Sequence, residues 1–361
     1  MIPTSRRELM QALGLGGAAA AAGCTAGSNL EATEVDEGLE QAQRRAVDSV
    51  AADPTDVPDP VDRDRPKHHD ISLEIREVTA PLAEGKTFNF LTYDGRVPGP
   101  MIRVRQGDTV SFTLENPPES KMAHNVDFHA VYGTGGGSVA TTAAPGESNG
   151  ERFTATYPGA FIYHCAVPRL DYHISAGMFG MIVVEPPEGL PDVDRELYFG
   201  QHEVYTTGGD GHQSFDPEAM KREDPNYVLF NGEAYAYSAD KHGPIEVQQD
   251  ETVRVFLVDG GPNLSSNFHP IGNVWATAHR DGAVGTPEQN VQTVKVPPGS
   301  CTIATMETPV PERIHLVDHA LSRVRHKGAL ADVDVVGEKR PEIFDPSPDT
   351  EAGKDEEGPR Y

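Results

Sequence analysis

His124, Cys165, His173 and Met178 bring together the four side chains that a soft, redox-active metal prefers. The last three are spaced C-x7-H-x4-M, between the strand-like runs FIYHC and GMIVVEP. One thiolate and two imidazoles make a trigonal set, and a thioether adds a weak axial contact. That is the ligand set of a blue-copper electron-transfer site. The sulfur ligands stabilise the reduced ion and the imidazoles the oxidised one. A buried free cysteine beside incidental histidines is the plainer alternative, and four ligand types in this order speak against it.

His164 directly precedes Cys165. Neighbours on a strand point to opposite faces, so the two cannot share one ion. His129 lies in the same segment as His124, and with His164 it suggests a second metal wired to the first through the 164–165 peptide. Two ligands do not complete a site. A third candidate comes from an internal repeat. PGPMIRVRQGDTVSFTLEN (98–116) resembles GPIEVQQDETVRVFLVDGG (243–261), and NVDFH (125–129) resembles SSNFH (265–269). In the same register Tyr163-His164-Cys165 has a counterpart in Asp318-His319-Ala320. His319 therefore occupies the place of His164. It could be a remnant of duplication, since Ala320 stands where the cysteine would be. A catalytic all-histidine copper, however, needs three protein ligands and one open position, and His319 fits that gap.

The elements that must hold these residues are strands. Ile71, Leu73 and Ile75 alternate with polar residues, as do Ile102 and Val104, and Val110, Phe112 and Leu114. Glycine and proline, 36 and 30 residues, punctuate the chain, and no long helical period appears. The expectation is all-β: two tandem Greek-key β-sandwiches, at 66–190 and 191–338.

HNVDFHA, YHCAVPRLDYHISAGMFG, SSNFHPIG and LVDHALSRVRHKGAL, with TYDGRVPGPMIRV and GTGGGSVATTAAPGE, resemble the signatures of copper-containing nitrite reductases. The resemblance spans most of 66–338. It implies two cupredoxin-like domains and a homotrimer. It implies a type 1 copper on His124, Cys165, His173 and Met178. It also implies a type 2 copper on His129 and His164 of one subunit and His319 of the next, so one copper of each type per subunit. Asp127 and His269 would flank the open position and supply protons, and Ile271 would shape it. The reaction would be nitrite plus one electron plus two protons giving nitric oxide and water, with a small blue-copper protein or a cytochrome as donor. Pro270 departs from the aliphatic residue usual after that histidine, and Arg169 and Asp171 make the ligand loop more charged than an apolar docking patch. Two rival readings remain. A blue-copper carrier would have no use for the second histidine set. A laccase-like multicopper oxidase needs His-x-His pairs, and the chain has none.

Lys+Arg is 30 and Asp+Glu is 56, a net charge of −26 over 361 residues. That sign excludes nucleic-acid binding by phosphate attraction. Arginine outnumbers lysine 21 to 9, and with the acidic residues this resembles haloarchaeal composition, where dense counter-ions screen the repulsion. Three cysteines cannot build a disulfide framework, and Cys301 reads as an apolar filler. No apolar run reaches the roughly 18 residues of a spanning helix. Residues 1–24 contain TSRRELMQALGLGGAAAAAGC, which resembles a twin-arginine export signal ending in a lipoprotein box, with Cys24 the lipid-anchor position. That would place the protein outside the cytoplasm, as an exported and membrane-anchored chain. Residues 25–65 read as an acidic, solvated tether and 339–361 as an acidic tail.

Overall fold

The computed structural model describes residues 44–239 and 241–346. The expected signal with Cys24, the first part of the tether and the end of the tail lie outside the described residues.

The architecture is all-β, as strand patterning predicts, and it is the two-domain, cupredoxin-like fold that the resemblance implies. In the first half, Lys86–Tyr93, His68–Ala83, Thr109–Glu115 and Ser148–Thr154 form one sheet in that order. Ile102–Arg105, Phe179–Glu185, Gly159–His164 and Asp127–Phe128 form the other. Leu73, Ile75, Phe90 and Phe112 from the first sheet share one core with Val104, Ile162, Tyr163 and Ile182 from the second. The second half repeats the plan. A six-stranded sheet runs through Arg195–Val204, Thr252–Gly261 and Ser300–Glu307, and a five-stranded sheet through Leu330–Val336, Arg313–Asp318 and Ser266–Ile271. Its core gathers Phe199, Val255, Leu257, Phe268, Trp275 and Leu316.

The register makes the repeat concrete. Ile102–Arg105 pairs parallel with Phe179–Glu185, and Ile245–Gln248 pairs parallel with Leu330–Val336. Phe128 stands opposite Tyr163, and Phe268 stands opposite Asp318. These are the positions that the sequence repeat equates.

The halves are interlocked. Gly211–Gln213, from the second half, adds a parallel strand to Lys86–Tyr93. The Phe179 ring packs against Gly200 and Gly260, where any Cβ would come within 2.8 Å of it.

The stretch read as the end of a solvated tether is docked. Arg45–Ala46 pairs parallel with Val78 and Thr79, and Val50 and Ala52 are buried. The Ala52 carbonyl accepts from Tyr237 Oη (2.6 Å) and Asn231 Nδ2 (2.8 Å), and the Pro54 carbonyl accepts from the Tyr198 amide (2.8 Å). These backbone carbonyls attach the segment, although its side chains are largely polar or small.

Candidate metal centre

Strand parity decides which way each ligand points. On Gly159–His164 and its continuation, Cys165 faces the core of the first half and is fully buried. His164 faces the other way. Its Nε2 lies 3.1 Å from Nε2 of His129, and its Nδ1 lies 3.0 Å from the Cys165 carbonyl.

Around Cys165 the side chains close in as the sequence spacing requires. His173 Nδ1 is 3.5 Å from Sγ and His124 Nδ1 is 3.9 Å from it. The three ligand atoms lie within 4.8 Å of one another, and all three residues are buried. The short helix Leu170–Ser175 delivers His173. Met178 is fully buried. Its carbonyl accepts from the Cys165 amide (3.1 Å) and its amide donates to the His173 carbonyl (3.0 Å). Asn125 Oδ1 accepts from the Ala166 amide at 2.7 Å and lies 3.7 Å from Sγ, which fixes the turn beyond the cysteine.

Burial alone would raise the Cys165 thiol. The imidazoles of His173 and His124 outweigh it and hold the thiol well below its ordinary range. A thiolate between two imidazoles is a donor set that suits copper. Cys301 is the contrast: it is buried in the core, and burial pushes its thiol well up.

The second cluster is divided within the single chain. His164 is buried, while His129 and His319 are exposed. Among the described residues, His319 does not join His129 and His164 in a three-ligand group. It lies instead beside His269, with ring centroids 5.0 Å apart at 72°. The His129–His164 rings are 5.1 Å apart at 78°. The two histidine pairs are thus the two copies of one repeat feature. Surrounding protein and then the His164 imidazole lower the His129 pKa, against the pull of Asp127 and Asp281.

Asp127 stands opposite His164 in the ladder. Its carboxylate occupies the space a side chain at residue 136 would take: a Cβ on Gly136 would lie 2.1 Å from Oδ1, and φ there is +54°. Only glycine leaves that place to the acid. His269 Nδ1 contacts the Gln292 carbonyl. Ile271 lies two residues on, on the same face of the strand Ser266–Ile271, and is partly buried.

Two contributors went unnoticed in the sequence. Glu77 Oε1 lies 3.1 Å from His124 Nε2, and Arg44 Nε donates to Glu77 Oε2 at 3.1 Å. Neither residue lies near a ligand motif, so spacing carried no signal for them.

A family model described as multicopper oxidase matches residues 74–189. The copper-containing nitrite reductase of Neisseria meningitidis serogroup B is 42% identical over 301 residues, covering 82% of this chain and 76% of the relative. That of Cereibacter sphaeroides is 35% identical over 297 residues, covering 76% and 78%. The solved copper nitrite reductase of Nitrosomonas europaea superposes with a TM-score of 0.69 at 32% identity, covering 76% of this chain and 96% of that one. With 42% identity across three quarters of such a relative, this chain belongs to the copper-containing nitrite reductase family.

Proposed function

We propose that this protein reduces nitrite to nitric oxide and water by one electron and two protons. The observation that carries the reading is the division at residues 164 and 165. Cys165 Sγ turns to His124 and His173, and His164 Nε2 turns to His129. Two ligand sets are thereby joined by one peptide, an arrangement a simple carrier does not need.

The ligand chemistry fits copper in both places. His124, Cys165, His173 and Met178 would hold a type 1 ion, and His129 and His164 with His319 of the partner subunit a type 2 ion, one of each per subunit of a homotrimer. Bound copper would supply a one-electron relay at the first set and a Lewis-acidic seat for nitrite at the second. The rest is this chain's own chemistry. Cys165 and His164 give the shortest covalent path between the sets. Asp127, held open to the His164 side by Gly136, donates one proton to the departing oxygen. His269, brought along with His319, donates the second and is reprotonated from solvent. Ile271 beside it limits the room for the anion. We read the docked segment 44–58 as part of the first domain, with the boundary between domains at 190/191.

We further propose export through a twin-arginine signal, lipid attachment at Cys24, a small blue-copper or cytochrome donor, and adaptation to high salt. These readings rest on the sequence. Anaerobic turnover of nitrite by copper-loaded protein, with direct detection of nitric oxide, tests the function. Nitric oxide in proportion to electrons consumed supports it. Electron transfer to a donor or acceptor without nitrite consumption would favour the blue-copper carrier.

A further inference from the structure

We infer that Glu77 and Arg44 are positioning residues for His124, through which the N-terminal segment sets the orientation and electron donation of the imidazole at the type 1 site. The inference rests on the copper assignment proposed above.

The chain of contacts is short and dry. His124 presents Nδ1 to Cys165 and Nε2 to Glu77 Oε1. Glu77 Oε1 also accepts the amides of Lys121 (2.9 Å) and Met122 (3.0 Å), which lead into His124. Glu77 Oε2 accepts from Arg44 Nε. The side chains of Arg44, Glu77 and His124 are 1%, 3% and 0% exposed. A ligating histidine whose second ring nitrogen donates to a carboxylate is fixed in tautomer and orientation and becomes a stronger donor.

Local backbone explains why a glutamate lies there. Along His68–Ala83 the buried positions are Leu73 and Ile75, then Val78, Ala80 and Leu82. The buried face changes between Ile75 and Val78 although the ladder with Lys86–Tyr93 runs unbroken from Ile75 to Pro81. Up to residue 74 the strand pairs with Thr109–Glu115, and from Ile75 on with Lys86–Tyr93. Glu77 keeps the parity of Leu73 and Ile75, so its side chain points to the face that those two bury. Arg44 is held over it because Arg45–Ala46 pairs with Val78 and Thr79 and the Val47 amide donates to the Thr79 carbonyl at 2.9 Å. A buried ion pair is a poor source of stability once desolvation is counted, but it is an effective way to fix a ring and set its charge environment.

The two charges act oppositely on the metal. The Glu77 carboxylate favours the more positive, oxidised ion, and the Arg44 guanidinium offsets it. The test uses the full-length, copper-loaded protein and the variants Glu77→Gln, Arg44→Met and Arg44→Lys. Reduction potential and visible absorption of the thiolate-bound copper are followed by spectroelectrochemical titration. Glu77→Gln should raise the potential, Arg44→Met should lower it, and Arg44→Lys should return it toward wild type. Shifts of the same sign in Glu77→Gln and Arg44→Met, or none in either, would overturn the inference. If Arg44→Met does not fold, an unshifted Glu77→Gln overturns it alone. A wild-type protein without thiolate–copper absorption would instead defeat the copper assignment beneath it.

Discussion

His129 and His164 meet Nε2 to Nε2 at 3.1 Å, on the face of the strand that Cys165 turns away from. Two imidazoles at that distance are poised to share an ion and too few to complete its coordination. The second half carries the same pair as His269 and His319, in nearly the same ring geometry. Duplication thus supplies two half-sites per chain. A symmetric oligomer that faces the first half-site of one subunit with the second half-site of the next would complete a site at every interface.

The acid at that site is open to a direct test. Asp127→Asn keeps the size of the side chain and removes the transferable proton. Nitrite turnover should fall by roughly two to four orders of magnitude, the usual share of general acid catalysis. Both coppers and the visible absorption should remain. Near-normal turnover in a fully loaded Asp127→Asn protein would remove this residue from the proton supply.

Glu151 sets a pH signature in stability. It reaches beneath the glycine turn, where a Cβ on Gly137 would lie 2.0 Å from its Oε1. Burial, with the nearby Asp127 charge, pushes its carboxyl from 4.5 up to about 7. A carboxyl raised on folding binds its proton more tightly in the native state. Its contribution is fully present below the unfolded value and is lost as pH rises through the folded one. Glu151→Gln imitates the protonated acid. In urea unfolding of the copper-free protein, the variant should match wild type near pH 4.5 and gain on it as pH rises through about 7. A difference that does not change with pH would place the Glu151 carboxyl outside the interior.

Salt should separate the two sites. With −26 charges per subunit, low ionic strength leaves repulsion between subunits unscreened. A site completed across an interface should lose its copper first, and the site buried within one half should keep its own. As salt is dialysed away, nitrite turnover should vanish before the visible absorption, while light scattering shows the mass falling. A monomer that kept turnover would contradict the shared site. An intact, active oligomer without salt would contradict the reading of the acidic composition.

Much of the site was legible because ligand chemistry and strand parity are local. Adjacent His164 and Cys165 must point apart, and they do. His124, His173 and Cys165 form the buried cluster their spacing required. The sandwich pattern was equally readable from alternation in Leu73, Ile75, Phe112 and Leu114. What escaped was non-local. Residues 44–58 look like tether by composition, yet they are held by their own carbonyls: Pro58 accepts from Arg103 Nη1 at 2.8 Å as Ala52 does from Tyr237. Glu77 escaped because its partners are distant in sequence: alternation puts it on the face of Leu73 and Ile75, but nothing local shows that His124 and Arg44 meet it there.

Each subunit is expected to carry two different copper environments joined at residues 164 and 165. Copper content and visible absorption of wild type beside Cys165→Ala measure this most directly. Wild type should hold two coppers per subunit and absorb strongly through the thiolate–copper bond. Cys165→Ala should lose that absorption and one copper, and keep the other on the histidine set. A variant that kept the absorption, or lost both ions together in an intact, folded oligomer, would contradict the account.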